Sequence, residues 1–217
     1  MVLKADYFIF DMDGLLIDSE MLVYKIWDKI LTDKGYNLDI EFYKESIGIP
    51  DENMKYRFLE VYGNDFNFEK FTEEYIKMRD DIYNNEGVPL KYGLVELLDK
   101  LKNKNKTLAV ATSSKRAVVE KILSKNNILK YFDYFITCDD VTKHKPEPEV
   151  FLKALEIGGF KAENSFVLED SENGLKAAHG AGIRSIFIKD MVEPKKEVLD
   201  TVYYRGENLF EISKIVE

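Results

Sequence analysis

Two aspartates separated by one residue, Asp11 and Asp13, follow a short apolar run, Tyr7-Phe8-Ile9-Phe10. A carboxylate can attack phosphorus and form an aspartyl-phosphate, dividing one hard displacement into two easier ones. A second carboxyl two residues on can protonate the leaving oxygen and later activate water. Farther along stand Thr112 and Ser113, then Lys145 before Pro146, then a second acidic pair, Glu169-Asp170. Carboxylates crowded at one place repel each other unless a cation sits between them. Oxygen ligands and a phosphate substrate point to Mg²⁺, which also neutralises charge in the transition state. Thr112, with Ser113 beside it, could bind phosphoryl oxygens, and Lys145 could hold nucleophile and phosphate with a fixed positive charge.

Each of these groups alone has a plainer reading. Asp-x-Asp-Gly is a common turn, Thr112 and Ser113 can cap a helix, and Glu169-Asp170 can serve as charge at a helix N-terminus. Asp11-x-Asp13-Gly14 followed by Glu20 also matches the second half of a calcium loop. There, however, the first ligand would be Ile9, and the preceding residues read as strand rather than helix.

The elements that must position these groups are read from periodicity. Tyr7 to Phe10 is a buried strand ended by a turn signal. The stretch that follows is helical in pattern and rich in charge. Val23, Ile26, Trp27, Ile30 and Leu31 share one helical face with Asp18 or Ser19 as cap, and further helices cover Asp51 to Tyr62 and Phe68 to Asn84. After Pro89 strands and helices alternate. Leu94, Leu97, Leu98 and Leu101 form a helix stripe, Thr107 to Ala111 a strand, and Lys115 to Lys125 a helix capped by Ser113 or Ser114. Tyr134 to Thr137 is a strand, Glu149 to Glu156 a helix, Ser165 to Leu168 a strand and Glu172 to Ala181 a helix. Arg184 to Ile188 is a strand, a last strand falls near Val202 to Tyr204, and a helix begins at Leu209. This alternation predicts an α/β fold, a Rossmann-like parallel sheet with helices on both faces. Residues 1–15 and 91–217 form the core, and 16–90 an inserted α-helical cap. Ligands of open α/β sheets bind at the carboxyl ends of the strands, and those ends deliver Asp11 and Asp13, Thr112 and Ser113, the Asp139 to Lys145 loop, and Glu169 and Asp170 to one edge.

The 217 residues are 45% hydrophobic, 13% aromatic and 33% charged, with a net charge of -9. That mixture supports a buried core and argues against an acidic disordered chain. It also argues against non-specific nucleic-acid binding. The single cysteine, Cys138, permits no intramolecular disulfide and disfavours a cysteine zinc site. No window approaches the roughly 18 apolar residues of a membrane span, so the expectation is a cytoplasmic monomer with no membrane partner. His144 and His179 are not read as ligands; His179, among small residues, is expected to pack.

The residues Asp11-Met-Asp13-Gly14-Leu-Leu-Ile-Asp18-Ser19, Ala111-Thr112-Ser113-Ser114, Lys145-Pro146-Glu-Pro148 and Leu168-Glu169-Asp170-Ser171-x-x-Gly174 resemble, in order, the four motifs of the haloacid dehalogenase superfamily. The helical insert resembles the cap of its β-phosphoglucomutase and sugar-phosphate phosphatase subgroup. The resemblance implies Asp11 as nucleophile, Asp13 as general acid/base, Thr112 and Ser113 at the phosphoryl group, and Lys145 as the lysine of the third motif. It implies Mg²⁺ held by Asp11, Asp170 and the Asp13 backbone carbonyl, with Glu169 as an outer-sphere partner, and a small phosphorylated metabolite as substrate. A cap of this kind closes over the core, expels water and selects substrate; Glu20, Lys77 and Arg79 are candidate contacts.

Within the family, Asp13 counts against dehalogenation, and no Schiff-base lysine of a phosphonate hydrolase is identified. The mutases carry a histidine where this chain has Val23, and a cap arginine after a turn that here reads Gly48-Ile49-Pro50-Asp51. Both departures favour hydrolysis over phosphomutase activity. A non-catalytic binding module on the same fold is the third alternative.

Overall fold

Four consecutive apolar residues with neighbours on both sides make a strand that is buried on both faces, and β1 (Tyr7–Phe10) is fully buried. The computed structural model describes residues 2–47, 49 and 51–217, without the side chains of Asp51 and Glu52. It divides into two compact units, Met1–Asp18 with Pro89–Glu217, and Ser19–Val88. The division lies a few residues inside the 16 and 90 bounds read from the sequence. Ile17 bridges Leu90, and the Asp18 amide donates to Pro89 O at 2.8 Å, so both linking segments are tied into the first unit.

The first unit is built on β1 and five further strands: β2 (Thr107–Ala111), β3 (Tyr134–Ile136), β4 (Ser165–Glu169), β5 (Arg184–Ile188) and β6 (Tyr204–Gly206). All are parallel in the order β3-β2-β1-β4-β5-β6, a doubly wound Rossmann-like sheet. Alternation divides its side chains. Tyr7, Ile9, Ala109, Ala111 and Val167 pack with Phe151 and Ala154 of one helix and Ala177 and Ala178 of another. Phe8, Phe10, Leu108, Val110, Phe166 and Leu168 point to the opposite face and are just as fully buried, so helices cover both sides.

The helices of this unit follow their apolar stripes. Leu94, Leu97, Leu98 and Leu101 are the buried residues of the helix Leu94–Asn103, and Val119, Ile122 and Leu123 those of Arg116–Lys125. Glu149–Gly158, Glu172–Gly180 and Leu209–Ile215 complete the set read from the sequence, and a short helix, Lys196–Leu199, was not anticipated. That extra turn shifts the last strand from the expected Val202–Tyr204 to Tyr204–Gly206. The Tyr203 amide is taken by Ser185 O, and pairing with β5 begins at Tyr204. His179 is exposed rather than packed, because Ala177, Ala178 and Ala181 take the buried face and turn it outward.

The second unit is helical: Ser19–Thr32, Ile40–Lys44, Asp51–Tyr62 and Phe68–Asp81, the last extended by a π turn, Ile82–Glu86. The five-residue helix at Ile40 is too short to show a period. Asp39 starts it by accepting from the Glu41 and Phe42 amides. Aromatic rings fill this unit: Trp27 lies 5.1 Å from Phe58 and 5.2 Å, nearly parallel, from Tyr75, centroid to centroid. A cavity of about 340 Å³ within it is lined by Glu20, Trp27, Tyr43, Thr72, Tyr75 and Arg79, among others; Lys77 is exposed. Val23 also lines this cavity, whereas Gly48 and Pro50 of the turn compared with the mutases lie outside the described residues. Among the described residues no helix is long and apolar enough to cross a membrane.

Candidate active site

β1 delivers Asp11 to the carboxyl edge of the sheet, where the Asp11 amide still donates to Leu168 O at 3.1 Å. The chain then turns sharply. The amides of Leu15, Leu16 and Ile17 all converge on Met12 O, and Gly14 adopts φ 79°. A Cβ at Gly14 would meet Asp170 Oδ2 at 2.2 Å, so glycine is required by close approach as well as by the left-handed backbone. The strand before Asp11 rules out the helix that a calcium loop needs.

Lys145 lies across the edge. Its Nζ donates to Asp11 Oδ1 at 2.5 Å, to Glu169 Oε1 at 2.8 Å and to Ala111 O at 3.0 Å. Its side chain is 6% exposed and that of Glu169 fully buried, so the ion pair is held away from water. Burial disfavours the Lys145 charge, but the carboxylates of Asp11 and Glu169 outweigh it and hold the ammonium above its ordinary range. Burial, with the charges of Glu169 and Asp13, pushes Asp11 up to about 7 against the opposing pull of Lys145. Burial likewise raises Asp170, reinforced by Glu169, Asp11 and Asp190.

Glu169, the last residue of β4, also accepts from the Ser171 amide at 2.7 Å and the Ser171 hydroxyl at 3.0 Å. A Cβ at Gly174 would stand 1.6 Å from Glu169 Oε1, which gives that glycine its reason: the helix runs over the buried carboxylate.

Asp13 meets a residue that the sequence reading gave no role in the site. Ser114 donates its hydroxyl to Asp13 Oδ2 at 2.8 Å. Neither Ser113 nor Ser114 caps the helix that follows; Lys115 is the cap residue, with no side-chain bond, and Asp139 accepts from the Arg116 amide instead. Thr112, 2% exposed, accepts from the Ser114 amide at 3.1 Å, while Ser113 is exposed. Glu149 is a second missed residue. Its carboxylate accepts from the Thr142 amide and hydroxyl and from the Lys143 amide, fastening the loop that carries Lys145. His144, beside Lys145, is exposed. The structure thus gathers Asp11, Lys145 and Glu169 by direct bonds, sets Asp170 against Gly14, and holds Asp13 through Ser114.

The donor set bears on a cation. Asp170 Oδ1 is buried without a hydrogen-bond partner, and burial together with neighbouring carboxylates raises both Asp11 and Asp170, features a hard divalent ion would relieve. No three acidic, histidine or cysteine side chains among the described residues form a complete metal cage. Two carboxylates and a main-chain carbonyl, with waters filling the remainder, suit Mg²⁺ better than a cage would.

The chain belongs to the haloacid dehalogenase-like hydrolase family, whose model matches residues 8–188. It is 32% identical, over 99% of its length and 96% of the other's, to a putative pyrophosphatase PpaX of Caldanaerobacter subterraneus subsp. tengcongensis. It is 30% identical, over 82% of each, to the phosphorylated carbohydrates phosphatase of Thermotoga maritima. The crystal structure of a putative β-phosphoglucomutase from Thermotoga maritima superimposes with a TM-score of 0.80 at 26% identity, covering 97% of both chains. The chain is a phosphatase hydrolase of this family, and the two relatives named above are a putative pyrophosphatase and a phosphatase of phosphorylated carbohydrates.

Proposed function

We propose that this chain is a magnesium-dependent phosphatase that hydrolyses a small phosphorylated metabolite, a sugar phosphate or nucleotide-like monophosphate, through an aspartyl-phosphate on Asp11. The observation that carries the reading is the buried pair of Lys145 with Asp11 Oδ1, set beside Asp13 and Asp170 at the end of the central strand. Lys145 occupies Oδ1, which leaves Oδ2 to attack phosphorus. The phosphorus–oxygen bond to the leaving group breaks as Asp13 gives its proton to that oxygen. Asp13 then takes a proton from water, the water oxygen attacks phosphorus, and phosphate leaves with Asp11 restored. Ser114 holds Asp13 in place for both transfers, the Thr112 hydroxyl binds a phosphoryl oxygen, and the Lys145 ammonium, its three donors taken by Asp11, Glu169 and Ala111, acts on the phosphoryl group as a fixed positive charge.

Asp11, Asp170 and the Asp13 carbonyl would hold the Mg²⁺. Bound there, it supplies positive charge that keeps Asp11 ionised and offsets the charge of the phosphoryl oxygens. The Ser19–Val88 unit carries the groups that discriminate among substrates, Glu20 and Arg79 of its cavity foremost. The carbohydrate reading draws on the activity of the Thermotoga relative. The chain is read as a monomer that works in the cytoplasm.

The test is phosphate release with Mg²⁺ over a panel of sugar phosphates, nucleoside monophosphates and pyrophosphate, with Asp11→Asn alongside. Turnover on a monoester that disappears in Asp11→Asn supports the reading, and turnover retained in Asp11→Asn overturns the covalent step. Silence across the panel, with product formed only when a sugar bisphosphate is added, establishes the mutase instead.

A further inference from the structure

Asp190 follows β5 and has no part in the reaction just described. Its side chain is 7% exposed, and Lys91 Nζ donates to its Oδ1 at 2.6 Å. The same ammonium reaches Asp18 Oδ1 at 3.3 Å. Lys91 is itself fixed, since its amide donates to Leu16 O at 3.0 Å and its side chain is 17% exposed. The other oxygen of Asp190 is turned toward the site. A Cβ on Gly14 would lie 2.2 Å from Asp170 Oδ2 and 3.0 Å from Asp190 Oδ2, so the two oxygens face one small space beside Gly14.

Two carboxylates directed at one space repel, and neither gains by the approach unless something positive or a donor lies between them. Lys91 bonds Oδ1 of Asp190. The remaining oxygen faces the same space as Asp170, where a cation is already inferred, and can accept a hydrogen bond from that direction. Mg²⁺ binds few protein groups and keeps several waters, whose hydrogens need acceptors. Groups that take such hydrogens orient the ligands and tune affinity.

We propose that Asp190 is an outer-sphere acceptor for the hydration shell of the divalent cation, and that Lys91 is the positioning residue that aims it there. This rests on the reading of Asp11 and Asp170 as a Mg²⁺ site. The arrangement makes a prediction with a definite sign. If Lys91 were only a nearby positive charge, its removal would strengthen cation binding. As the residue that orients Asp190, its removal weakens binding although the site becomes more negative.

The experiment is a titration of the full chain, without substrate, with Mn²⁺ followed by its electron paramagnetic resonance, then displacement by Mg²⁺. Asp190→Asn and Lys91→Met should each weaken binding about tenfold, the lower end for outer-shell changes, and Lys91→Arg should restore it. Metal-free melting of each variant is recorded beside the titration. The near-isosteric Asp190→Asn keeps the test decisive should Lys91→Met not fold. Unchanged affinity in Asp190→Asn, or equal or tighter binding in Lys91→Met, overturns the proposal while leaving the magnesium reading intact if Asp170→Asn abolishes binding. A wild-type chain that binds neither ion overturns both.

Discussion

Ser114 donates its hydroxyl hydrogen to Asp13 Oδ2 across 2.8 Å, joining residues 101 positions apart. The bond ties the turn after β1 to the turn after β2, and it holds the carboxyl proposed to pass protons in both half-reactions. A hydrogen bond to a charged group contributes about 1.5–3 kcal/mol, and each 1.36 kcal/mol is a factor of ten in rate. Ser114→Ala should therefore lower kcat about ten- to a hundredfold with KM nearly unchanged. Steady-state kinetics on the best substrate of the panel reads the split, and a change confined to KM would assign Ser114 to binding.

Removing Lys145 leaves Asp11 and Glu169 buried without their cation, and breaking such a pair typically destabilises by about 3–5 kcal/mol. The sign with pH follows from the carboxylates. Burial and Glu169 raise Asp11, and without Lys145 it rises further. Its protonated form relieves the penalty at low pH, and the penalty grows as pH rises through the folded-state value. Urea denaturation of Lys145→Met without metal should show a deficit near pH 8 that shrinks toward pH 5. A deficit that does not change with pH would mean that the lost packing of the lysine stem, not its charge, is responsible.

Gly174 and Gly159 make a matched pair. Alanine at Gly174 must displace the buried Glu169 carboxylate, 1.6 Å from the new methyl carbon, whereas nothing lies within 4 Å of the corresponding position on Gly159. Gly174→Ala should lose about 3 kcal/mol, the upper range of overpacking. Gly159→Ala, at φ 71°, should lose only about 1 kcal/mol of backbone strain. Chemical denaturation compares them directly, and equal losses would contradict the assignment.

Glu149 is held below the usual carboxylate range, first by the Thr142 amide and then by the Lys143 amide. A carboxylate lowered on folding adds stability above its unfolded value and gives it up as pH falls through the folded one. Glu149→Gln should melt below wild type at pH 7, and the two curves should draw together as pH falls below the ordinary glutamate range and Glu149 becomes protonated. Melting followed by circular dichroism across that range is sufficient, and a gap that does not narrow as pH falls would point to shape rather than charge.

What the sequence revealed and what it hid have separate physical causes. β1 and β2 were legible because strands buried on both faces read as apolar runs with turn residues after them. The helix at Leu94 was legible because four leucines mark one face. The helices at Ile40 and Lys196 were hidden because five and four residues hold barely one period. Asp11, Asp13, Lys145, Glu169 and Asp170 could be named because strand ends converge on one edge by rule. Ser114 lay within a visible hydroxyl run, but which hydroxyl faces Asp13 depends on the turn. Glu149 carried one signal, an acid opening a helix after Pro148. Lys91 and Asp190 carried none, since 99 residues separate them and neither sits in a recognisable pattern.

The strand order also has a history in time. β1 is the third strand of the six and pairs with β2 and β4, which begin only at Thr107 and Ser165. During synthesis at about 5–20 residues per second, Tyr7–Phe10 waits on the order of ten seconds for the second of these neighbours. Ser19–Val88, by contrast, is one continuous segment, complete before β2 has been made. The nascent chain therefore carries a finished helical unit behind an apolar strand that has nothing to pair with. In the cell the vulnerable moment of this protein belongs to that strand, which keeps an unpaired edge until β4 leaves the ribosome.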